Sequence, residues 1–118
     1  MRLKGKVALV TGAGRGIGRG IAEVFADEGA HVAIDYLDNP EEAERVAGYV
    51  RSKGGRSMTC EADVANRSQV EPMFDKVWKE LGPIDILVNN AGIETIVPFL
   101  DLTDEQWTRL TDTNLRGA

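Results

Sequence analysis

Four apolar residues, Val7-Ala8-Leu9-Val10, run directly into Thr11-Gly12-Ala13-Gly14-Arg15-Gly16-Ile17-Gly18, and helical periodicity begins near Ile17. A short continuous apolar run fits a strand buried on both faces, and its tight turn into a helix confines the chain to layered α/β folds. Glycines at 12, 14, 16 and 18 permit a tight turn and close approach of backbone to an anion. Amides at the start of the following helix then point at that anion. The spacing is Gly-x-x-x-Gly-x-Gly, read at Gly12, Gly16 and Gly18. It differs from the familiar G-x-G-x-x-G fingerprint, and no Gly-Lys-Ser/Thr follows as in nucleotide hydrolases. The turn predicts phosphate binding, the alternative being a glycine-rich loop required only for packing.

The same alternation continues downstream. Further apolar runs at 31–34 and 84–88 are separated by stretches of helical period, and Ser57–Glu61 is weakly apolar, as suits an edge strand. The first helix places Ile17, Ile21, Ala22 and Phe25 on one stripe, expected to pack on the sheet, and stops at Gly29. Asn39-Pro40-Glu41-Glu42 announces the second helix and Gly54-Gly55 closes it. The third carries Val70, Met73, Phe74, Val77, Trp78 and Leu81 on its expected buried side, with Pro72 costing a backbone bond if the helix already runs from Asn66. Thr103-Asp104-Glu105-Gln106 is a capping box, and Trp107, Leu110 and Asn114 share a face that directs Asn114 inward.

At 118 residues the expectation is one domain, residues 1–118. The net charge of −5 is spread over helix faces and argues against nucleic acid or an anionic membrane as partner. A single cysteine, Cys60, and a single histidine, His31, offer no metal-binding cluster. Residues 1–6 are polar and no run approaches the roughly 20 apolar residues of a membrane span, so a cytoplasmic location is expected.

With TGAGRGIG, Asp63-Val64, Asn89-Asn90-Ala91-Gly92, and Asn114 followed by Leu-x-Gly, the chain resembles the amino-terminal half of the short-chain dehydrogenase/reductase family. Glucose 1-dehydrogenase-like and 3-oxoacyl carrier-protein reductase-like members look most similar. The resemblance extends over essentially all 118 residues. It implies a Rossmann-type doubly wound parallel sheet, strand order 3-2-1-4, with helices on both faces. It further implies NAD or NADP as cofactor and hydride transfer to or from an alcohol or carbonyl. Gly12, Gly16, Ile17 and Gly18 would lie along the pyrophosphate, Asp63 and Val64 would meet the adenine, and Asn90, Ala91 and Gly92 would pass beside the ribose nearer the nicotinamide. Asn114 resembles the family's active-site asparagine, which helps hold a water in a proton relay. Plainer roles stand beside these: Asp63 as a helix cap, Asn90 as a tie between strands, Asn114 as a satisfied core amide. In such sheets ligands bind at the carboxyl ends of the strands where the winding reverses, here between the first and fourth.

Cofactor choice reads both ways. Asp35 stands near where an acid would accept from the adenosine ribose, but one residue earlier than in NAD-using members, where Tyr36 stands. Arg15 resembles the base often found in NADP-using members, while Leu37 replaces a second one. The serine, tyrosine and lysine that the resemblance implies for catalysis would follow a fifth strand, beyond Ala118. Tyr49 and Lys53 have the Tyr-x-x-x-Lys spacing, but on the second helix, where a solvated helix face is expected. The expectation is therefore a piece of a longer reductase carrying its cofactor half, with residues 94–98 near the substrate or merely a connection. Its fourth strand would be bare on one side, and homo-oligomerisation or a completing chain is expected. The alternatives are a non-catalytic nucleotide-binding module and an inactive fragment.

Overall fold

The computed structural model describes residues 1–93 and 95–118. In chain order these form β1 (Val7–Val10), α1 (Gly16–Asp27), β2 (His31–Tyr36), α2 (Pro40–Ser52), β3 (Ser57–Glu61), α3 (Arg67–Leu81), β4 (Ile86–Val88) and α4 (Asp104–Thr111). A 3₁₀ turn at Phe99–Asp101 precedes α4, and a wider π-helical turn, Asp112–Arg116, follows it. All strand pairs are parallel, in the order β3-β2-β1-β4. This is the Rossmann-like order expected from the resemblance. The parallel pairing follows from the helical crossovers, which carry the chain back along the sheet face before each new strand.

β1 is the central strand, with all four residues buried, because β2 and β4 flank it and helices cover both of its faces. On one face Val10, Val32 and Ile34 pack with Ala22 and Ala26 of α1 and with Ala43, Val46 and Val50 of α2. On the other, Val7, Leu9 and Met58 meet Met73, Val77 and Leu81 of α3. The many alanines on α1 and α2 let those helices lie close to each other and to the sheet.

Local signals set the helix ends. Asn39 Oδ1 accepts the Glu42 N–H at 3.1 Å with Pro40 in the first turn, and the Thr103–Gln106 capping box forms in both directions. Beyond α1, Ala30 N–H reaches Phe25 O and Gly29 N–H reaches Ala26 O, the paired bonds of a Schellman close. α3 begins at Arg67, capped by Asn66, and runs through Pro72.

Five sequence expectations need correction. Ile17 is 78% exposed rather than packed on the sheet, because the small residues Gly18, Ala22 and Ala26 form the inner stripe of α1. Trp78 is 60% exposed, since α3 turns only Met73, Val77 and Leu81 fully inward. β4 has three residues rather than five, and β2 extends to Tyr36. Asn114 is exposed, because the π-helical turn changes the angular spacing assumed for a regular helix. Among the described residues no helix is long and apolar enough to cross a membrane.

Candidate functional site

The carboxyl ends of β1, β2, β3 and β4 open into one cleft of about 370 Å³. Its lining includes Gly12, Arg15, Ile17, Asp35, Asp63, Val64, Asn90, Ala91 and Gly92. Gly16 opens α1 beside it and Gly18 lies in the first turn of that helix. Glu94, the first residue of the 94–98 segment expected near a substrate, lies outside the described residues.

The glycine turn has a shape that larger residues would spoil. Gly12 sits at φ +62°, and a Cβ there would stand 3.0 Å from Ala91 Cα. Gly18 has ordinary helical backbone, but a Cβ would overlap the Gly12 carbonyl oxygen and lie 2.5 Å from Asn90 Nδ2. These approaches bring the start of α1 against the ends of β1 and β4. Arg15, extended at the N-cap position, makes no side-chain capping bond, and the first turn of α1 contains no acid. By contrast α2, α3 and α4 are each capped by a side chain. The opening amides of α1 have no acceptors within the helix, and with the positive end of the helix dipole they suit an anion.

Thr11, given no role by the sequence reading, fastens the two central strand ends. Its hydroxyl donates to Val88 O at 3.3 Å and accepts the Asn90 and Ala91 amides at 3.0 Å each. Asn90 Nδ2 donates to Thr11 O and Gly12 O, both at 3.1 Å. Asn90 thus ties the strand ends together while also lining the cleft.

Asp35 is 2% exposed, and Oδ2 accepts the Gly12 N–H at 3.2 Å. Its main-chain carbonyl accepts the Ala13 N–H at 2.9 Å. Burial pushes its carboxyl group up to about 7, opposed by the Gly12 and Ala62 amides and assisted by the negative charge of Asp63. Two buried side-chain oxygens lack partners among the described residues, Asp35 Oδ1 and Thr113 Oγ1, and both residues line the cleft.

Asp63 does not cap α3, a role taken by Asn66. Its Oδ2 lies 2.8 Å from Arg109 Nη1 of α4, and Oδ1 accepts the Ala65 N–H at 3.0 Å. Arg109 carried no sequence signal, since its partner lies 46 residues away. Asn114 Nδ2 donates to Ile93 O and Oδ1 accepts Ile93 N–H, both at 2.8 Å. Its amide therefore fastens the segment after β4 to the turn after α4.

Tyr49 and Lys53 do not line the cleft. The Tyr49 hydroxyl donates to Asp27 at 2.8 Å, Lys53 Nζ lies 3.7 Å from the same carboxylate, and the ring packs partly on the core. These contacts join α2 to α1 at an exposed surface, in keeping with the solvated helix face expected there. Among the described residues no group of three potential metal ligands occurs.

Residues 6–118 match the short chain dehydrogenase family. A short-chain type dehydrogenase/reductase of Picea abies is 46% identical, over 98% of this chain and 46% of its own length. A 3-oxoacyl-[acyl-carrier-protein] reductase FabG of Staphylococcus aureus is 43% identical, over 96% of this chain and 46% of its own. A short chain dehydrogenase of Burkholderia cenocepacia, solved in complex with NADP, superposes with a TM-score of 0.96 at 41% identity. That match covers 99% of this chain and 48% of that one. The chain spans about half the length of these relatives.

Proposed function

The chain belongs to the short-chain dehydrogenase/reductase family, and we propose that it forms the NADP(H)-binding half of an oxidoreductase acting on an alcohol or carbonyl substrate. The observation that carries the cofactor reading is the uncapped, acid-free start of α1 at the head of the cleft, with Arg15 at its lip. Asp35, the acid expected to accept from a ribose, is buried and turns Oδ2 onto the Gly12 N–H. Arg15 makes no ion pair among the described residues. A guanidinium so placed suits a ribose 2′-phosphate.

In this reading the amides opening α1 hold the pyrophosphate, and Gly12 and Gly18 keep the approach clear. Asp63 and Val64 flank the adenine, with Arg109 holding the Asp63 carboxylate. Asn90, Ala91 and Gly92 run beside the ribose nearer the nicotinamide, at the height set by Thr11. Asn114 braces Ile93 at the same end, which keeps the wall toward the substrate in place. When bound, the cofactor supplies or receives the hydride at its nicotinamide ring.

NAD(H) is the second reading, favoured by Asp38 and Glu42, whose negative charges line the cleft beyond β2. Fluorescence titration with NADPH and NADH separates the two. The expected result is at least about tenfold tighter binding of NADPH, an advantage lost in Arg15→Ala while NADH binding is unchanged. Equal or tighter NADH binding supports the second reading, and binding of neither refutes the dinucleotide site.

A further inference from the structure

Among the described residues Asp35 is the one buried carboxylate of the cleft, and its contacts lead to the glycine turn rather than to open solvent. Oδ2 takes the Gly12 N–H at 3.2 Å and the Asp35 carbonyl takes the Ala13 N–H at 2.9 Å, so the first two amides after Thr11 are both anchored on this residue. Oδ1 has no partner among the described residues. An ionised carboxylate held by so few donors at 2% exposure is poorly solvated, whereas a protonated one has less charge to satisfy. The pyrophosphate in the proposed reading lies over the same turn, placing a second negative group near this one.

We propose that Asp35 is a positioning residue of the phosphate-binding turn and that dinucleotide binding takes up a proton, from bulk water, at its carboxylate. The inference rests on the dinucleotide reading above. The pyrophosphate disfavours the ionised form of Asp35, and by reciprocity the ionised form weakens pyrophosphate binding. Burial already pushes this carboxyl up to about 7, so the exchange falls in a readily studied range. The titratable and charged groups around it come from β3, the segment after it, α3 and α4, and Arg15, Asp38 and Glu42 line the same cleft from the glycine turn, the segment after β2 and α2. Asp63 raises the carboxyl further, although Arg109 offsets part of that charge. The Cys60 thiol is itself pushed up by burial first and then by Asp35, with Lys76 and Glu80 acting on the thiol in opposite senses.

The test is NADPH affinity from pH 6 to 8.5 in the wild type and in Asp35→Asn, which keeps an oxygen to accept the Gly12 N–H. Comparing the two proteins at each pH cancels the ionisation of the cofactor's own 2′-phosphate. The expected affinities are similar at pH 6, with the wild type falling behind by about fivefold at pH 8.5. In parallel, the ¹³Cγ shift of wild-type Asp35 should titrate with a midpoint that moves upward when NADPH is bound. That measurement decides the matter if the variant does not fold. A ratio constant with pH, or an unmoved midpoint, overturns the proton link while leaving the dinucleotide site standing. Absence of NADPH binding by the wild type at every pH overturns both.

Discussion

Gly18→Ala, set against Gly20→Ala two residues along the same helix, isolates the close approach of α1 to the glycine turn. Alanine is the better helix former at both positions by about 1 kcal/mol. At Gly20 an added methyl meets nothing within 4 Å, so stability should rise by up to about 1 kcal/mol. At Gly18 the methyl overlaps the Gly12 carbonyl oxygen, comes within 2.5 Å of Asn90 Nδ2 and reaches 3.0 Å from Ala13 Cα. Two of those three neighbours are backbone and cannot swing aside. Overpacking of this kind costs roughly 1–3 kcal/mol, and displacing Asn90 endangers its bonds to Thr11 and Gly12, worth about 1 kcal/mol. Net of the helix gain, Gly18→Ala should lose about 2 kcal/mol. The variants then differ by about 3 kcal/mol, or about 2 M in urea midpoint for a slope near 1.5 kcal/mol/M. Urea unfolding followed by circular dichroism measures this directly. Equal midpoints would mean that α1 shifts freely away from the strand ends, and the argument from close approach would fail.

Three further outcomes follow from the same geometry. The native Cys60 thiol, pushed up to about 12 and 4% exposed, should resist a disulfide reagent such as DTNB at pH 8 and react once per chain in urea; native labelling within minutes would contradict its burial. Because Asp35 sits near 7 in the folded chain against an ordinary 3.8, the folded state retains its proton longer. Its contribution to stability is fully present below about pH 3.8 and falls by up to about 4 kcal/mol as pH rises to about 7, a slope that urea midpoints of Asp35→Asn should lack. Asn90→Ala removes two donated bonds and should lower stability by about 1–2 kcal/mol while loosening NADPH binding, as urea unfolding and fluorescence titration would measure; an unchanged midpoint would deny its tie between the strands.

The layered architecture was legible because its cues are local. The apolar run at Val7–Val10, the cap at Asn39, the box at Thr103 and the weakly apolar Ser57–Glu61 each act within a few residues, and each corresponds to an element or its end. Side-chain direction was harder to read. Ile17 and Trp78 have the spacing of buried residues, but glycine and alanine take the inner stripe of α1, and α3 needs only three large residues to cover its part of the sheet. Long-range partners left no trace in spacing. Nothing near Thr11 indicates that its hydroxyl joins Val88 to Asn90, nothing near Arg109 names Asp63, and the turn of Asp35 onto Gly12 depends on how two strand ends meet in space. The bonds from Asn114, on the wider π-helical turn, to Ile93 likewise join residues 21 positions apart.

The placement of β1 between β2 and β4 has a consequence for the growing polypeptide. Val7 and Asp85, whose main chains bond where β1 and β4 begin, are 78 residues apart, whereas β2 follows β1 after a single helix. A nascent chain can therefore pair β3, β2 and β1 while the far edge of β1 still waits for its neighbour. At roughly 5–20 residues per second that wait lasts several seconds. Through it the Thr11 hydroxyl lacks Asn90, so the glycine turn acquires its final shape only when β4 leaves the ribosome, and on the proposed reading capture of the dinucleotide is a late event in the life of the new molecule.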